Sequence, residues 1–292
     1  MSTIEKALAK KQAVKKSNDE TNATSDTSSN LESGTLQEEN SNPSQTSQNH
    51  VLQINKESLI ERGYLIDTGE RKNIKEEFRE IKRKLLNNAF GSAAKTLNNS
   101  NLIMVSSAKP NEGKTFVSIN LALSIALEQD KKVLLIDADV LMPSLHEELG
   151  IENTQGLIDF LLKDELSVND VLYNCNIDNL KIIPAGNTHH LSNELLASEK
   201  MAKLAQELAT RYPDRIVIFD CPPLLGISET QVLASLVGQG VIVVEESSTP
   251  IADVIEATKN LDEDLALGIV LNKAIRTHKD LYGYYGYGHA KK

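Results

Sequence analysis

Gly113, Lys114 and Thr115 close a ten-residue segment, Ser106-Ser107-Ala108-Lys109-Pro110-Asn111-Glu112-Gly113-Lys114-Thr115, that follows the apolar run Leu102 to Val105. A strand that ends in such a loop and passes straight into a helix can cradle phosphate. Glycine lets backbone amides approach the oxygens, lysine reaches the β and γ groups, threonine can hold a magnesium ion, and the helix start aims its positive end at the anion. A general P-loop has glycine at position 108, where this chain has alanine, so the strand–loop–helix context carries the assignment. The segment 108–116, from Ala108 through Lys109, Pro110, Asn111, Glu112, Gly113, Lys114 and Thr115 to Phe116, is the candidate ATP cradle.

Two further blocks supply carboxylates. Val133-Leu134-Leu135-Ile136-Asp137-Ala138-Asp139 puts two acids at the end of a buried strand, and Ile216-Val217-Ile218-Phe219-Asp220-Cys221-Pro222-Pro223 puts a third at the end of another. Ligands of open α/β sheets bind at such strand ends. Paired acids beside a phosphate loop suit magnesium coordination and activation of an incoming hydroxyl. Thr115, Asp137 and Asp220 are therefore the candidate metal ligands, and Lys114, Asp137, Asp139 and Asp220 the candidate catalytic set. Cys221 reads as a small buried hydrophobe. Asn272, after Gly268 to Leu271, is either an adenine contact or a turn residue.

The phosphate loop has a possible target in the same chain. Four of the seven tyrosines, Tyr282, Tyr284, Tyr285 and Tyr287, fall in the last eleven residues, alternating with glycine. Glycine denies those rings a stable helical or strand face. The segment is either a substrate tail or a low-complexity end that binds by stacking.

The elements that must position these residues are legible as apolar runs. Strands are expected at Leu102–Val105, Val133–Ile136, Leu180–Ile183, Ile216–Phe219, Val241–Val244 and Gly268–Leu271. Helices are expected at Ile74–Asn88, with Phe78, Ile81 and Leu85 on one side, and at Phe116–Gln129, Leu195–Thr210 and Asp253–Leu261. Continuous Val/Ile/Leu strands alternating with helices imply a doubly wound, mostly parallel sheet covered on both faces. Together with the phosphate loop this resembles the three-layer α/β/α P-loop NTPases of the ParA and MinD type.

Residues 1–16 read as a short basic amphipathic helix with five lysines, suited to an anionic surface or to solvent. Residues 17–50 read as a disordered acidic linker; they hold six acids and no Lys or Arg. That is six of the net charge of −10, so the remainder carries only −4, and a broad nucleic-acid surface is not expected. Residues 51–275 form the P-loop domain and residues 276–292 a flexible tyrosine-rich tail. No apolar run approaches the roughly 18 residues of a membrane span, and the two cysteines lack disulfide or zinc spacing. A cytosolic location follows.

Taken in this order, the three blocks and the tail resemble the bacterial tyrosine kinases of capsule and exopolysaccharide synthesis. Lys114 and Thr115 match that family's P-loop, Asp137 and Asp139 its DxDxR motif, and Asp220, Pro222 and Pro223 its DxPP motif. Glu76-Glu77-Phe78-Arg79-Glu80-Ile81-Lys82 is similar to its ExxRxxR helix, which implies subunit contacts through Glu76, Arg79 and Lys82 in a homo-oligomeric ring. The start MS-x-IEKAL, the segments ELLASE and RYPDRIV and the closing YGYYGY resemble the autokinase subgroup found alongside exosortase systems. Two departures stand out: Leu141 replaces the arginine of DxDxR, and Lys82 replaces the second arginine of ExxRxxR.

The resemblance implies ATP and Mg2+, autophosphorylation of Tyr282, Tyr284, Tyr285 and Tyr287 in trans, and regulation of exopolysaccharide export. It also implies a separate membrane polysaccharide co-polymerase as activator, a cognate tyrosine phosphatase and a place at the inner face of the cytoplasmic membrane. Rival readings are a ParA/MinD-like ATPase switch and a catalytically weak, ATP-gated regulator.

Overall fold

The computed structural model describes residues 51–66 and 73–275. The helix expected at 1–16, the linker at 17–50 and the tail with Tyr282, Tyr284, Tyr285 and Tyr287 lie outside them. Eight strands form one sheet: β1 (Val51–Leu52), β2 (Leu102–Ser107), β3 (Lys132–Asp137), β4 (Tyr173–Cys175), β5 (Leu180–Ile183), β6 (Arg215–Asp220), β7 (Gln239–Glu245) and β8 (Ala266–Asn272). Their spatial order is β1-β4-β5-β3-β6-β2-β7-β8. Every pairing is parallel except β4 with β5.

The central strands are buried along nearly their whole length because helices cover both faces. The helices are α1 (Lys56–Glu61), α2 (Asn73–Phe90), α3 (Lys114–Ala126), α4 (Leu145–Leu149), α5 (Leu157–Leu162), α6 (Val168–Val171), α7 (Ser192–Leu196), α8 (Glu199–Arg211), α9 (Ser228–Ala234) and α10 (Ile251–Thr258). On one face, Phe78 and Leu85 of α2 and Val117, Leu121 and Ile125 of α3 share a core with Ile103, Leu135 and Ile218. On the other, Leu157, Leu204 and Leu233 from α5, α8 and α9 share a core with Met104, Leu134 and Phe219. Each such buried side chain contributes about 1.5–3 kcal/mol of transfer free energy. Helix α3 is buried nearly all round, so its polar residues must find partners inside the protein.

Three expectations are corrected. The helix expected over Leu195–Thr210 is two helices, because the Ser198 hydroxyl accepts a hydrogen bond from Met201 N (3.2 Å) and caps a new start. The sheet is not covered everywhere. Leu267, Ile269 and Leu271 of edge strand β8 are exposed on the face that β7 buries with Ile242 and Val244. Lys82 is not on the surface with Glu76 and Arg79; it falls in the buried stripe Phe78, Lys82, Leu85 and Ala89, which recurs at helical spacing. Its ammonium donates to Ser124 O (3.1 Å) and pairs with Glu128, both of its own chain. Among the described residues no helix is long and apolar enough to cross a membrane.

Candidate active site

The fold brings the ends of five adjacent strands to one rim. The loop 108–113 connects β2 to α3 at its centre, Asp137 and Asp220 close β3 and β6, and Asn272 closes β8. Asp137 and Asp220 are paired across the β3–β6 register, which places their backbones about 4.8 Å apart.

The loop's conformation explains its residues. Gly113 has φ of +93°, and a Cβ there would run into the Asn272 amide. Asn111 is also left-handed, at φ of +67°, a conformation that asparagine tolerates. Ala108 is fully buried with an ordinary negative φ, so alanine serves where other P-loops carry glycine. Pro110 is exposed. The carboxylate of Glu112, itself buried, accepts from Lys109 N (2.8 Å) and from the Thr249 hydroxyl. Lys109 extends to Asp253 on α10. Asn272 donates to Glu112 O (2.8 Å), and Lys273 donates to Asn111 O (2.7 Å). The loop is thus tied to the strand ends on its β7–β8 side. The Phe116 ring packs on Tyr64, with centroids 5.1 Å apart.

Charge gathers on the other side. Lys114 pairs with Asp139 at 2.6 Å. Asp137 Oδ1 accepts from Asp139 N (3.2 Å) and Oδ2 from Leu145 N (3.2 Å). Asp220 Oδ1 accepts from the Ser118 hydroxyl (3.0 Å), whereas its Oδ2 is buried with no hydrogen-bond partner. The Thr115 hydroxyl meets that of Ser144 at 2.9 Å.

Burial, then the charges of Asp220 and Asp139, push the Asp137 carboxyl far above the usual carboxylate range. Burial also raises Asp220, against the opposing charge of Lys114. Burial alone would lower Lys114, but Asp220, Asp139 and Asp137 outweigh it and the ammonium is held above its ordinary value. Three carboxylates around one lysine, one of them with an orphaned buried oxygen, fit a further cation. Among the described residues no group of three or more His, Cys, Asp or Glu has the geometry of a metal cage. Magnesium does not need one, since it keeps several waters and takes one or two carboxylates plus phosphate.

The sequence-predicted residues Lys114, Thr115, Asp137, Asp139, Asp220 and Asn272 therefore converge. Glu76 and Arg79 lie elsewhere, on the exposed side of α2, paired with each other at 2.7 Å. Ser118, Ser144 and Thr249 were not anticipated; none of them falls within the three blocks that the sequence singles out. Leu141 is exposed beside Asp139 and supplies no charge. Cys221 is fully buried and its thiol is pushed well up by burial, consistent with a packing role.

A family model described as an AAA domain matches residues 100–282. Tyrosine-protein kinase YwqD of Bacillus subtilis is 33% identical over 81% of this chain and 96% of its own length. A putative tyrosine-protein kinase in the cps region of Klebsiella pneumoniae is 32% identical over 63% of this chain; the match spans only 25% of that longer protein. Among solved structures, the kinase domain of the Escherichia coli tyrosine kinase ETK aligns over 82% of this chain and 94% of its own, at 25% identity and a TM-score of 0.59. The Mg-ADP complex of the septum site-determining protein MinD from Pyrococcus horikoshii covers 61% of this chain and 72% of its own, at 25% identity and a TM-score of 0.50.

Proposed function

The chain belongs to the bacterial tyrosine-protein kinases of capsule and exopolysaccharide type, and on that premise we propose that it transfers the γ-phosphoryl group of ATP to its own tail tyrosines. The observation that carries this reading is the convergence of Lys114, Asp137, Asp139 and Asp220 around the phosphate loop, with one carboxylate oxygen left unpartnered.

Lys114 and the first-turn amides of α3 orient the phosphates. Thr115, Asp137 and Asp220 would hold magnesium, which supplies charge neutralisation when bound. The reaction has a loose transition state, so positioning and electrostatics do most of the work. A phenol with a pKa near 10 needs a base at neutral pH. Asp139 fits that role better than Asp137. Both Asp137 oxygens are anchored by backbone amides, while the Asp139 oxygen bonded to Lys114 is released when the lysine turns to phosphate.

Within the family, the matching segments at the start, ELLASE, RYPDRIV and the tail support the subgroup found alongside exosortase systems. A homo-oligomeric ring, a membrane polysaccharide co-polymerase as activator, a cognate tyrosine phosphatase and a site at the inner membrane face complete the reading.

The test is phosphotyrosine on the full chain after incubation with Mg-ATP, beside Lys114→Ala and a variant with Tyr282, Tyr284, Tyr285 and Tyr287 all changed to Phe. Signal confined to the wild type supports an autokinase acting on its tail. ATP hydrolysis without phosphotyrosine, even with the activator's cytosolic segment present, overturns it in favour of a MinD-like switch.

A further inference from the structure

A cavity of about 230 Å³ opens at the end of the sheet opposite the phosphate loop. It is bounded by the starts of β3 and β6, by α6 and by the last turn of α8. Leu134 and Arg215 line it from the same strands that carry Asp137 and Asp220 at their far ends. Arg215 is the first residue of β6 and Asp220 the last, so about 16 Å of strand separates the two sites.

Arg215 is the unusual member. The residue is only 7% exposed and forms no ion pair among the described residues, and none of its guanidinium nitrogens is both buried and unpartnered, so those without a partner open onto the cavity. It stacks instead on the Tyr212 ring, 4.1 Å from the centroid. A buried guanidinium has five donors to satisfy and cannot shed its proton. Against burial, Lys132 and then Arg215 hold the carboxyl of the adjacent Asp214 low, so that acid compensates Arg215 only in part. Lys181, on β5, has its pKa lowered, first by burial and then by the charges of Arg215 and Lys132. Lys132 pairs with Asp214 (3.2 Å), and Arg211 pairs with Glu207, so the charge left in excess at the cavity is the positive one of Arg215. The remaining walls are mostly apolar, with Leu134, Phe160 and Leu208 buried in the core behind them.

We propose that this cavity binds a small anion carried on an apolar body, with the carboxylate or phosphate oxygens on Arg215 and the body against Phe160 and Leu208. The volume holds roughly seven water-sized groups, enough for a substituted ring or a short chain. The planar fork of Arg215 matches either oxyanion bidentately. Two sources carry this chemistry: a free small molecule, or a phosphorylated tyrosine such as the tail would bear.

Titration calorimetry on the full chain tests it, with phenyl phosphate, 3-phenylpropionate and a phosphorylated tail peptide of residues 280–290 as probes. Arg215→Gln removes the charge and keeps much of the stem. Asn169→Trp fills the mouth from an exposed position and leaves Arg215 in place. The expected result is saturable binding of at least one probe, weakened roughly tenfold or more in both variants, with Mg-ATP binding unchanged in each. Binding of phenyl phosphate without the peptide identifies a free molecule as the source, and binding of the peptide identifies the tail. No saturable binding by any probe, or equal binding in wild type and Arg215→Gln, overturns the proposal. Should Arg215→Gln prove unfolded by circular dichroism, Asn169→Trp alone decides.

Discussion

At the residue scale the site is self-paired: Lys114 is held by Asp139, and Asp137 by two backbone amides. Binding phosphate therefore requires an exchange of partners. Asp139→Asn frees Lys114 and removes the proposed base. ATP affinity should hold or rise while phosphotyrosine formation falls by about 10²–10⁴-fold, read by nucleotide fluorescence and by a rate assay on the same protein. Loss of both together would reassign Asp139 to binding. Glu112→Ala makes the converse prediction. It strips the loop of the acceptor that fixes Lys109 N and Thr249, so ATP affinity should weaken roughly tenfold, with most of the phosphorylation rate recovered at saturating ATP. The carboxylates were readable because each ends an apolar run. Ser118 and Thr249 were not, because their partners Asp220 and Glu112 lie 102 and 137 residues away and a single polar residue carries no periodic signal.

Strands and helices were legible in proportion to their length and apolarity. The strand expected at Leu180–Ile183 is observed with those bounds, and β2, β3, β6 and β7 extend the predicted runs by a residue or two. Short helices such as α4 and α6 and the two-residue β1 complete no hydrophobic period, so nothing in the sequence separates them from loops. Helix α2 shows how a charge can mislead. Lys82 matches a surface motif, but it occupies the third-turn side of a buried stripe and satisfies Ser124 and Glu128. Lys82→Ala should lower the unfolding free energy by about 1–3 kcal/mol, whereas Glu76→Ala and Arg79→Ala, an exposed pair, should change it by less than about 0.5 kcal/mol; urea titrations separate the two classes. Asp159, at the start of α5, offers a pH test. Burial would raise its carboxyl, but hydrogen bonds from Asn187 and from Gly156 N (3.1 Å) hold it below the usual range. Its stabilisation is present above the unfolded carboxylate pKa and lost as pH falls through the folded one. Asp159→Asn should therefore cost stability at neutral pH, and its deficit against wild type should shrink below about pH 4.

The whole molecule gathers its phosphate loop and the three carboxylates at one rim, and the described chain ends at that same rim. Asn272 and Lys273 are bonded to the phosphate loop, and Ile275 N donates to Glu246 at 3.0 Å. Tyr282 follows Ile275 by seven residues, a reach of at most about 25 Å when extended. A phenol entering its own site must turn back within that length, whereas one entering a neighbour's site in a ring need not, so transfer between subunits is the expected route. Each phosphotyrosine adds about −1.5 to −2, and four of them place roughly −6 to −8 on each tail. In the ring proposed above, tails so charged would gather at one face, repel one another and favour dissociation, with an ionic-strength dependence that a purely apolar interface would lack. Two measurements follow. Mixing a Lys114→Ala chain bearing wild-type tyrosines with an active chain whose four tail tyrosines are Phe should phosphorylate the inactive chain; an unmarked inactive chain means transfer stays within one subunit. Light scattering before and after phosphatase treatment should then show a smaller particle in the phosphorylated sample, with the difference shrinking as salt is raised. One mass in both states would remove charge repulsion as the device that opens the ring and leave the tail as substrate alone.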